Sequence, residues 1–142
     1  MRTLTCLLLA ACSTSTAPAP ASWGPPDLDA AESCLKTRIW EARAEGWAMR
    51  SLQTRALAPG ETWPQPLTIY DGVEYRVFAC AEDHAADVEL LVYTGDGKVA
   101  QREEGTGPQA DLVVTTEGDA FLVVHARDVP APVGVSVGLT YK

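Results

Sequence analysis

The segment VGVSVGLTY, residues 133–141, decides the fold class because its side chains alternate strictly between two faces. One face carries large apolar side chains, those of Val133, Val135, Val137, Leu139 and Tyr141. The other carries small or polar residues: Gly134, Ser136, Gly138 and Thr140. A period of two is typical of a β-strand with one buried face. The segment therefore predicts a strand whose second face points outward.

The same alternation recurs in the preceding sequence, for example at Val88, Leu90 and Val92. Turn signals such as Gly95-Asp96-Gly97 separate the segments at short intervals, and a short strand is predicted over residues 67–70. About seven or eight such strands predict a mainly β protein, an antiparallel β-sandwich or jelly roll.

A single N-terminal α-helix, residues 28–46, is predicted to pack on this sandwich. Asp29 followed by Glu32 fits an acidic capping box, and Gly46 is a natural stop. One apolar stripe falls at helical spacing: Ala31, Leu35, Ile39 and Ala42. From Trp47 onward the period changes to two, so residues 47–142 form the β-sandwich domain.

The first residues predict export. The sequence Leu9-Ala10-Ala11-Cys12 ends a short apolar run and resembles the lipobox of bacterial lipoprotein signal peptides. This resemblance implies that residues 1–11 are a signal peptide, cleaved before Cys12, and that the Cys12 thiol is lipidated. An ordinary secretory signal, cut within residues 17–21, is the alternative, and it also exports the chain.

Residues 12–27 follow as a lipidated cysteine and a tether rich in Pro, Ala, Ser and Thr, which favours extended chain over packed structure. We therefore expect a domain anchored by lipid to the cell membrane or the outer membrane, facing the periplasm or the cell surface.

Composition limits the partners. The chain has 11 basic and 19 acidic residues, for a net charge of −8. Nucleic-acid binding needs clustered Lys and Arg, so it is not expected. Docking on anionic lipid by charge is not expected either, which leaves the lipid anchor as the membrane contact.

With Cys6 in the cleaved segment and Cys12 lipidated, Cys34 and Cys80 remain. In an oxidising compartment the simplest prediction is a disulfide between them. Two buried free thiols or an intermolecular bond are the alternatives.

One acidic loop contains the candidate metal ligands Asp83, His84 and Asp87. A third carboxylate, from Asp96 or Asp128, would be needed to approach the six to eight oxygens that calcium requires. A solvated acidic loop is the simpler interpretation, so neither a bound metal nor another cofactor is predicted.

No catalytic residue is predicted. Gly134-Val135-Ser136-Val137-Gly138 matches the hydrolase pattern Gly-x-Ser-x-Gly, but a nucleophile elbow needs a strand, a sharp turn and a helix, with a histidine later in the chain. No histidine follows Ser136, and His125 is interpreted as a surface or inter-sheet residue. Five aromatic residues are expected to fill the core: Trp40, Trp47, Trp63, Tyr70 and Tyr75.

The segments YRVFACAED (75–83), DVELLVYTGDGKVAQREE (87–104) and GDAFLVVHAR (118–127) resemble bacterial pre-peptidase C-terminal domains. The matching positions are Tyr75, Asp87, Leu90, Tyr93, Asp96-Gly97 and Gly118, with Phe121 near the family's aromatic position. The resemblance covers about the last three-fifths of the chain and implies a small jelly-roll sandwich. The N-terminal helix is not required by that family, and no motif transfers a family ligand to this chain.

Together these patterns predict a non-catalytic, lipid-anchored envelope protein with a binding or structural role, whose partner is a protein or a polysaccharide. The alternative is a hydrolase or metal-dependent enzyme that uses the acidic loop around His84. Clustered carboxylates of perturbed pKa in one deep pocket would favour the enzyme.

Overall fold

The computed structural model describes residues 24–82 and 86–142, which fold as one helix followed by eight strands. The helix, α1, spans Leu28–Ala44. The strands are β1 (Ala48–Leu57), β2 (Thr62–Ile69), β3 (Tyr75–Ala81), β4 (Asp87–Thr94), β5 (Val99–Arg102), β6 (Gln109–Val114), β7 (Gly118–Arg127) and β8 (Val133–Tyr141). Within these ranges, no helix combines the length and the apolar character needed to cross a membrane.

The strands form two four-stranded antiparallel sheets. Sheet A has the order β1-β8-β3-β6, and sheet B has the order β2-β7-β4-β5. The predicted mainly β sandwich with one helix is therefore confirmed, and the strand β8 lies inside sheet A between β1 and β3.

The space between the sheets holds the main apolar core, built from the inward positions of the alternating strands. The predicted inward set Val88, Leu90 and Val92 is almost completely buried. Strand β2 is longer than the predicted strand at 67–70, because Pro64 and Pro66 are tolerated on the edge of a sheet, where one side of the strand has no partner.

Helix α1 buries its predicted apolar stripe of Ala31, Leu35, Ile39 and Ala42. The predicted cap was wrong, because Asp27 occupies the N-cap position in a non-helical conformation, and its Oδ1 accepts a hydrogen bond from the Ala30 N–H at 2.9 Å. Asp29 lies inside the first turn instead. At the other end, Gly46 adopts a φ of +93° and turns the chain into β1.

The second face of β8 does not point outward, contrary to the prediction. Helix α1 packs on the outer face of sheet A, so Ser136 and Thr140 are fully buried. Alternation within one strand cannot show that a helix will cover the outer face of the sheet. Small and polar residues also occur on faces exposed to solvent, so the sequence of β8 does not distinguish the two cases.

Two glycines on that face let the helix approach closely. A Cβ on Gly134 would lie 2.8 Å from the carbonyl oxygen of Asp27, and a Cβ on Gly138 would lie 2.8 Å from Ile39 Cδ1. Both separations are shorter than van der Waals contact, so α1 sits at this distance because the two positions lack side chains.

A second apolar cluster fills the interface between α1 and sheet A. Leu35, Ile39 and Ala42 of the helix contact Phe78 and Cys80 of β3. A disulfide joins Cys34 of α1 to Cys80, with a Cα–Cα distance of 6.0 Å, so the helix is covalently attached to the sheet. This is the intrachain pairing that the sequence predicts.

Charged side chains at the rim of this interface connect three elements. Arg76 of β3 donates from Nε and Nη2 to the two oxygens of Asp111 on β6, at 2.8 and 2.5 Å. Arg38 of α1 donates to the same carboxylate at 3.2 Å. The hydrogen bonds that Arg76 donates to Asp111 raise the pKa of Arg76 above its usual value. The network therefore reinforces the attachment of α1.

The close packing of Gly138 against Ile39 can be tested with a double-mutant cycle. Gly138→Ala is expected to lower the free energy of unfolding by about 1–3 kcal/mol, because the new methyl group overlaps Ile39 Cδ1. Ile39→Val removes Cδ1 and alone lowers it by about 0.5–1.5 kcal/mol. The double variant should lose less free energy of unfolding than the sum of the two single losses, as measured by urea unfolding. Strict additivity would show that the two side chains do not compete for this space.

Removal of the disulfide should destabilise the folded protein. Replacing Cys34 and Cys80 by alanine opens a cross-link between residues 46 positions apart and should lower the free energy of unfolding by roughly 3–4 kcal/mol in the chain-entropy model. Denaturant unfolding of the oxidised protein and the double variant measures the difference. Equal midpoints for the two proteins would contradict a stabilising role for the bond.

Candidate functional site

The acidic loop is described only in part. Asp87 lies at the start of β4, where its Oδ1 accepts a hydrogen bond from the Gly107 N–H at 2.9 Å and so orders the link between β5 and β6. Asp83 and His84 lie outside the described residues, and their role as metal ligands stays a prediction. In the ranges 24–82 and 86–142, no group of three His, Cys, Asp or Glu side chains could hold a metal ion.

The two carboxylates that a calcium site at Asp87 could have used differ in position. Asp96 follows the far end of β4, and it forms an ion pair with Lys98 at 3.2 Å. It therefore lies too far from Asp87 to share an ion with it. Asp128 follows Arg127, which is the strand partner of Asp87, so it lies at the same end of the sandwich as Asp87.

The two other side chains that could take part in catalysis, those of Ser136 and His125, have structural roles. Ser136 Oγ lies 2.7 Å from Thr54 Oγ1 and donates to the carbonyl oxygen of Gln53 at 3.2 Å, inside an unbroken strand. The match to the hydrolase pattern is therefore accidental, as predicted. His125 lies on the outer face of β7, with its Nδ1 3.8 Å from Glu89 Oε2, which fits the predicted surface histidine.

The five aromatic residues expected in the core divide into three groups. Trp63 and Tyr75 are buried, as predicted. Trp40 and Tyr70 are exposed by 73% and 59%, so the prediction was wrong for both. Trp47 is half-buried beside the second apolar cluster. Aromatic side chains that reach the surface indicate a binding surface when two of them share one depression.

Trp47 and Tyr70 do share one. They line a cavity of about 420 Å³ at the end of the sandwich where α1 finishes, and we call it the distal cleft. The remaining lining residues are Ile69, Asp71, Gly72, Val73, Glu74, Val113, Val114, Thr115, Thr116 and Glu117. The cleft thus combines aromatic walls, hydroxyl groups and three carboxylates, whereas α1 begins at the opposite end, where Asp27 packs against Gly134.

A second depression runs along the side of the sandwich between the edge strands β1 and β2, and we call it the side groove. Its volume is about 350 Å³. It is lined by Arg50, Ser51, Gln53, Trp63, Pro64, Gln65, Pro66, Leu67, Thr68, Leu122, Val137 and Leu139. The last three belong to the core between the sheets, so the groove has an apolar floor and polar walls.

Arg50 stands between the two depressions. Its guanidinium lies 5.5 Å from the centre of the Tyr70 ring and 5.6 Å from that of Tyr75, and its Nη1 donates to the Thr68 carbonyl oxygen at 3.0 Å. In the described part of the chain, no carboxylate lies within ion-pair distance of Arg50. Cation–π contacts therefore hold this side chain, and several of its N–H donors are left for other groups.

No family model matches the chain, and no curated protein matches it. The solved structures that are similar in the arrangement of strands include three that differ widely in their origin. The pre-peptidase C-terminal domain of a collagenase from Bacillus anthracis has 8% identity and a TM-score of 0.48, over 64% of this chain and 89% of that one. A carbohydrate-binding module in complex with calcium and xylotriose has 11% identity and a TM-score of 0.38, over 70% and 96%. A de novo designed double-stranded β-helix has 14% identity and a TM-score of 0.37, over 63% and 99%.

The similar folds thus include a pre-peptidase C-terminal domain, the family that the strand and turn motifs resemble, although its sequence identity to this chain is low. With TM-scores below 0.5, these similarities assign neither a family nor a ligand to this chain. The candidate site depends on its own residues alone.

Proposed function

We propose that this chain is an exported, lipid-anchored protein whose β-sandwich is a non-catalytic binding domain. The observation that supports this most directly is the distal cleft, where Trp47 and Tyr70 line one depression at the surface. Large aromatic side chains provide much contact area with little loss of conformational freedom, which suits a binding surface.

The position of the cleft is consistent with a lipid anchor at Cys12. Helix α1 has 17 residues and is therefore about 25 Å long. The chain enters the helix at one end of the sandwich, and the distal cleft lies at the other. A domain tethered through residues 12–27 would present the cleft away from the membrane, where a partner in the envelope could reach it.

The carboxyl groups with shifted pKa values give no support to the enzyme alternative. An enzyme would be expected to gather carboxylates of raised pKa in one pocket. The two carboxyl groups with shifted pKa values are both shifted downward, Glu32 by a hydrogen bond from Lys36 and Asp96 by one from Thr94. Both belong to local surface interactions, and neither lines the distal cleft or the side groove.

The lipid anchor predicts a change in location. Cys12→Ser should move the protein from the membrane fraction to the soluble fraction, because the thiol that carries the lipid is lost. Cys6→Ser is the matched control and should leave the protein in the membrane fraction, since Cys6 lies in the cleaved segment. Mass spectrometry of the mature wild-type N-terminus should show a lipidated Cys12, and a free amino terminus at any later residue would contradict the proposal.

The distal cleft predicts a loss of binding. Tyr70→Ala should weaken binding of the detergent-solubilised protein to isolated envelope material by about tenfold or more, as expected for an aromatic contact residue. Trp47→Ala should also weaken binding to the envelope material. Trp40→Ala is the control, because Trp40 is exposed on α1 outside the cleft. Equal losses in all three variants, or none, would reject the cleft as the binding site.

A further inference from the structure

The two long sides of the sandwich differ. On one side, Gln101 of β5 connects the sheets, because its Nε2 donates to the Val113 carbonyl oxygen at 2.9 Å and its Oε1 accepts from the Thr115 and Thr116 N–H groups at 2.7 and 3.2 Å. The other side, between β1 and β2, contains the side groove. A glutamine also lies there, but its interactions are different.

Gln65 occupies an inward position of β2, between the buried residues Trp63 and Leu67, and it lines the side groove. Its Nε2 is buried and has no hydrogen-bond partner in the described part of the chain. A buried amide without a partner is destabilising, and most proteins avoid it. Because no hydrogen bond holds this nitrogen, the side chain can rotate toward a ligand without breaking one there.

We propose that the side groove binds a neutral polysaccharide and that Gln65 supplies a hydrogen bond to its hydroxyl groups. This inference rests on the proposed binding function and names the ligand class. A sugar ring has polar hydroxyl edges and apolar C–H faces. The groove matches both, because amide and hydroxyl groups form its walls and Leu122, Val137 and Leu139 form its floor.

The charge of the walls favours a neutral chain. Ser51, Gln53, Gln65 and Thr68 are uncharged, and Arg50 is the single charged residue among those that line the groove. The protein as a whole has a net charge of −8, which repels an anionic polymer. The ligand should therefore bind through hydrogen bonds and apolar contact, with little dependence on salt.

The edge strands disfavour an extended peptide. Pro64 and Pro66 of β2 lack the backbone N–H groups that an added strand would pair with. Across the groove, the pairing register of β1 shifts between Met49 and Ser51, and such a bulge blunts an edge. Recognition must then come from side chains.

The groove also continues toward the distal cleft. Arg50 lines the groove, Tyr70 lines the cleft, and their side chains stack on each other. Gln65 and Tyr70 are five residues apart, which corresponds to about 17 Å of extended strand. One chain of several sugar units can thus contact both sites, so affinity should increase with chain length.

The test is a titration of the isotopically labelled mature protein in detergent with three neutral hexasaccharides: cellohexaose, maltohexaose and the hexamer of N-acetylglucosamine. NMR of the glutamine side-chain amides reports the site directly. We expect at least one hexasaccharide to shift the Gln65 amide signals and to bind at least tenfold more tightly than its disaccharide. Binding of none of the three would overturn the inference, as would binding only of hexagalacturonate or of a strand-forming peptide.

Gln65→Leu separates a binding role from a structural one. It should raise the melting temperature, because an unpartnered amide is replaced by an apolar side chain, and it should lower affinity for the hexasaccharide at least tenfold. Gln101→Leu is the matched control and should lower the melting temperature with affinity unchanged. Gln53→Ala, at the exposed wall of the groove, should weaken binding without affecting folding. Unchanged affinity in both Gln65→Leu and Gln53→Ala would overturn the assignment.

The two proposals can fail separately. If Tyr70→Ala abolishes binding to envelope material while no neutral hexasaccharide binds, the binding function stands and the polysaccharide assignment fails. If Tyr70→Ala leaves envelope binding unchanged while a hexasaccharide shifts the Gln65 signals, the groove is the site and the distal cleft is not.

Discussion

The contact between helix α1 and the small-residue face of β8 is the constraint on which the rest of the structure depends. Gly134 and Gly138 leave room for the helix backbone and for Ile39, and the disulfide at Cys80 attaches the helix to the adjacent strand. Strand β8 is therefore buried on both faces, and it can carry Ser136 and Thr140 in its interior because the hydroxyl groups of both form hydrogen bonds.

This third layer determines which surfaces are left for a partner. With α1 on the outer face of sheet A and Gln101 connecting β5 to the end of β6, the side between β1 and β2 and the end beyond α1 each hold a cavity with aromatic or amide walls. Trp47 follows directly after the helix and contacts its apolar cluster, so the position of α1 also orients one wall of the distal cleft.

Residues 133–141 predict their strand correctly, and Val133, Val135, Val137 and Leu139 are buried as predicted, whereas Tyr141 is exposed by 42%. Large apolar side chains at a period of two have few other structural explanations. The burial of the opposite face was not predictable, since glycine, serine and threonine are equally common on solvated faces and under a close-packed helix. Neither was the pairing of Trp47 with Tyr70, which depends on how two distant segments meet. The inward position of Gln65 could have been predicted, because Gln65 alternates in phase with the apolar residues Trp63, Leu67 and Ile69. Pro64 and Pro66 obscure this phase, because proline is disfavoured inside a strand.

Hydrogen–deuterium exchange of the oxidised protein tests most directly whether α1 is an integral layer. If the contact with β8 organises the fold, the amides of residues 35–42 should exchange as slowly as those of β8, through global unfolding alone. Exchange of the helix amides many times faster than the β8 amides, as in a helix that detaches while the sandwich stays folded, would contradict the account.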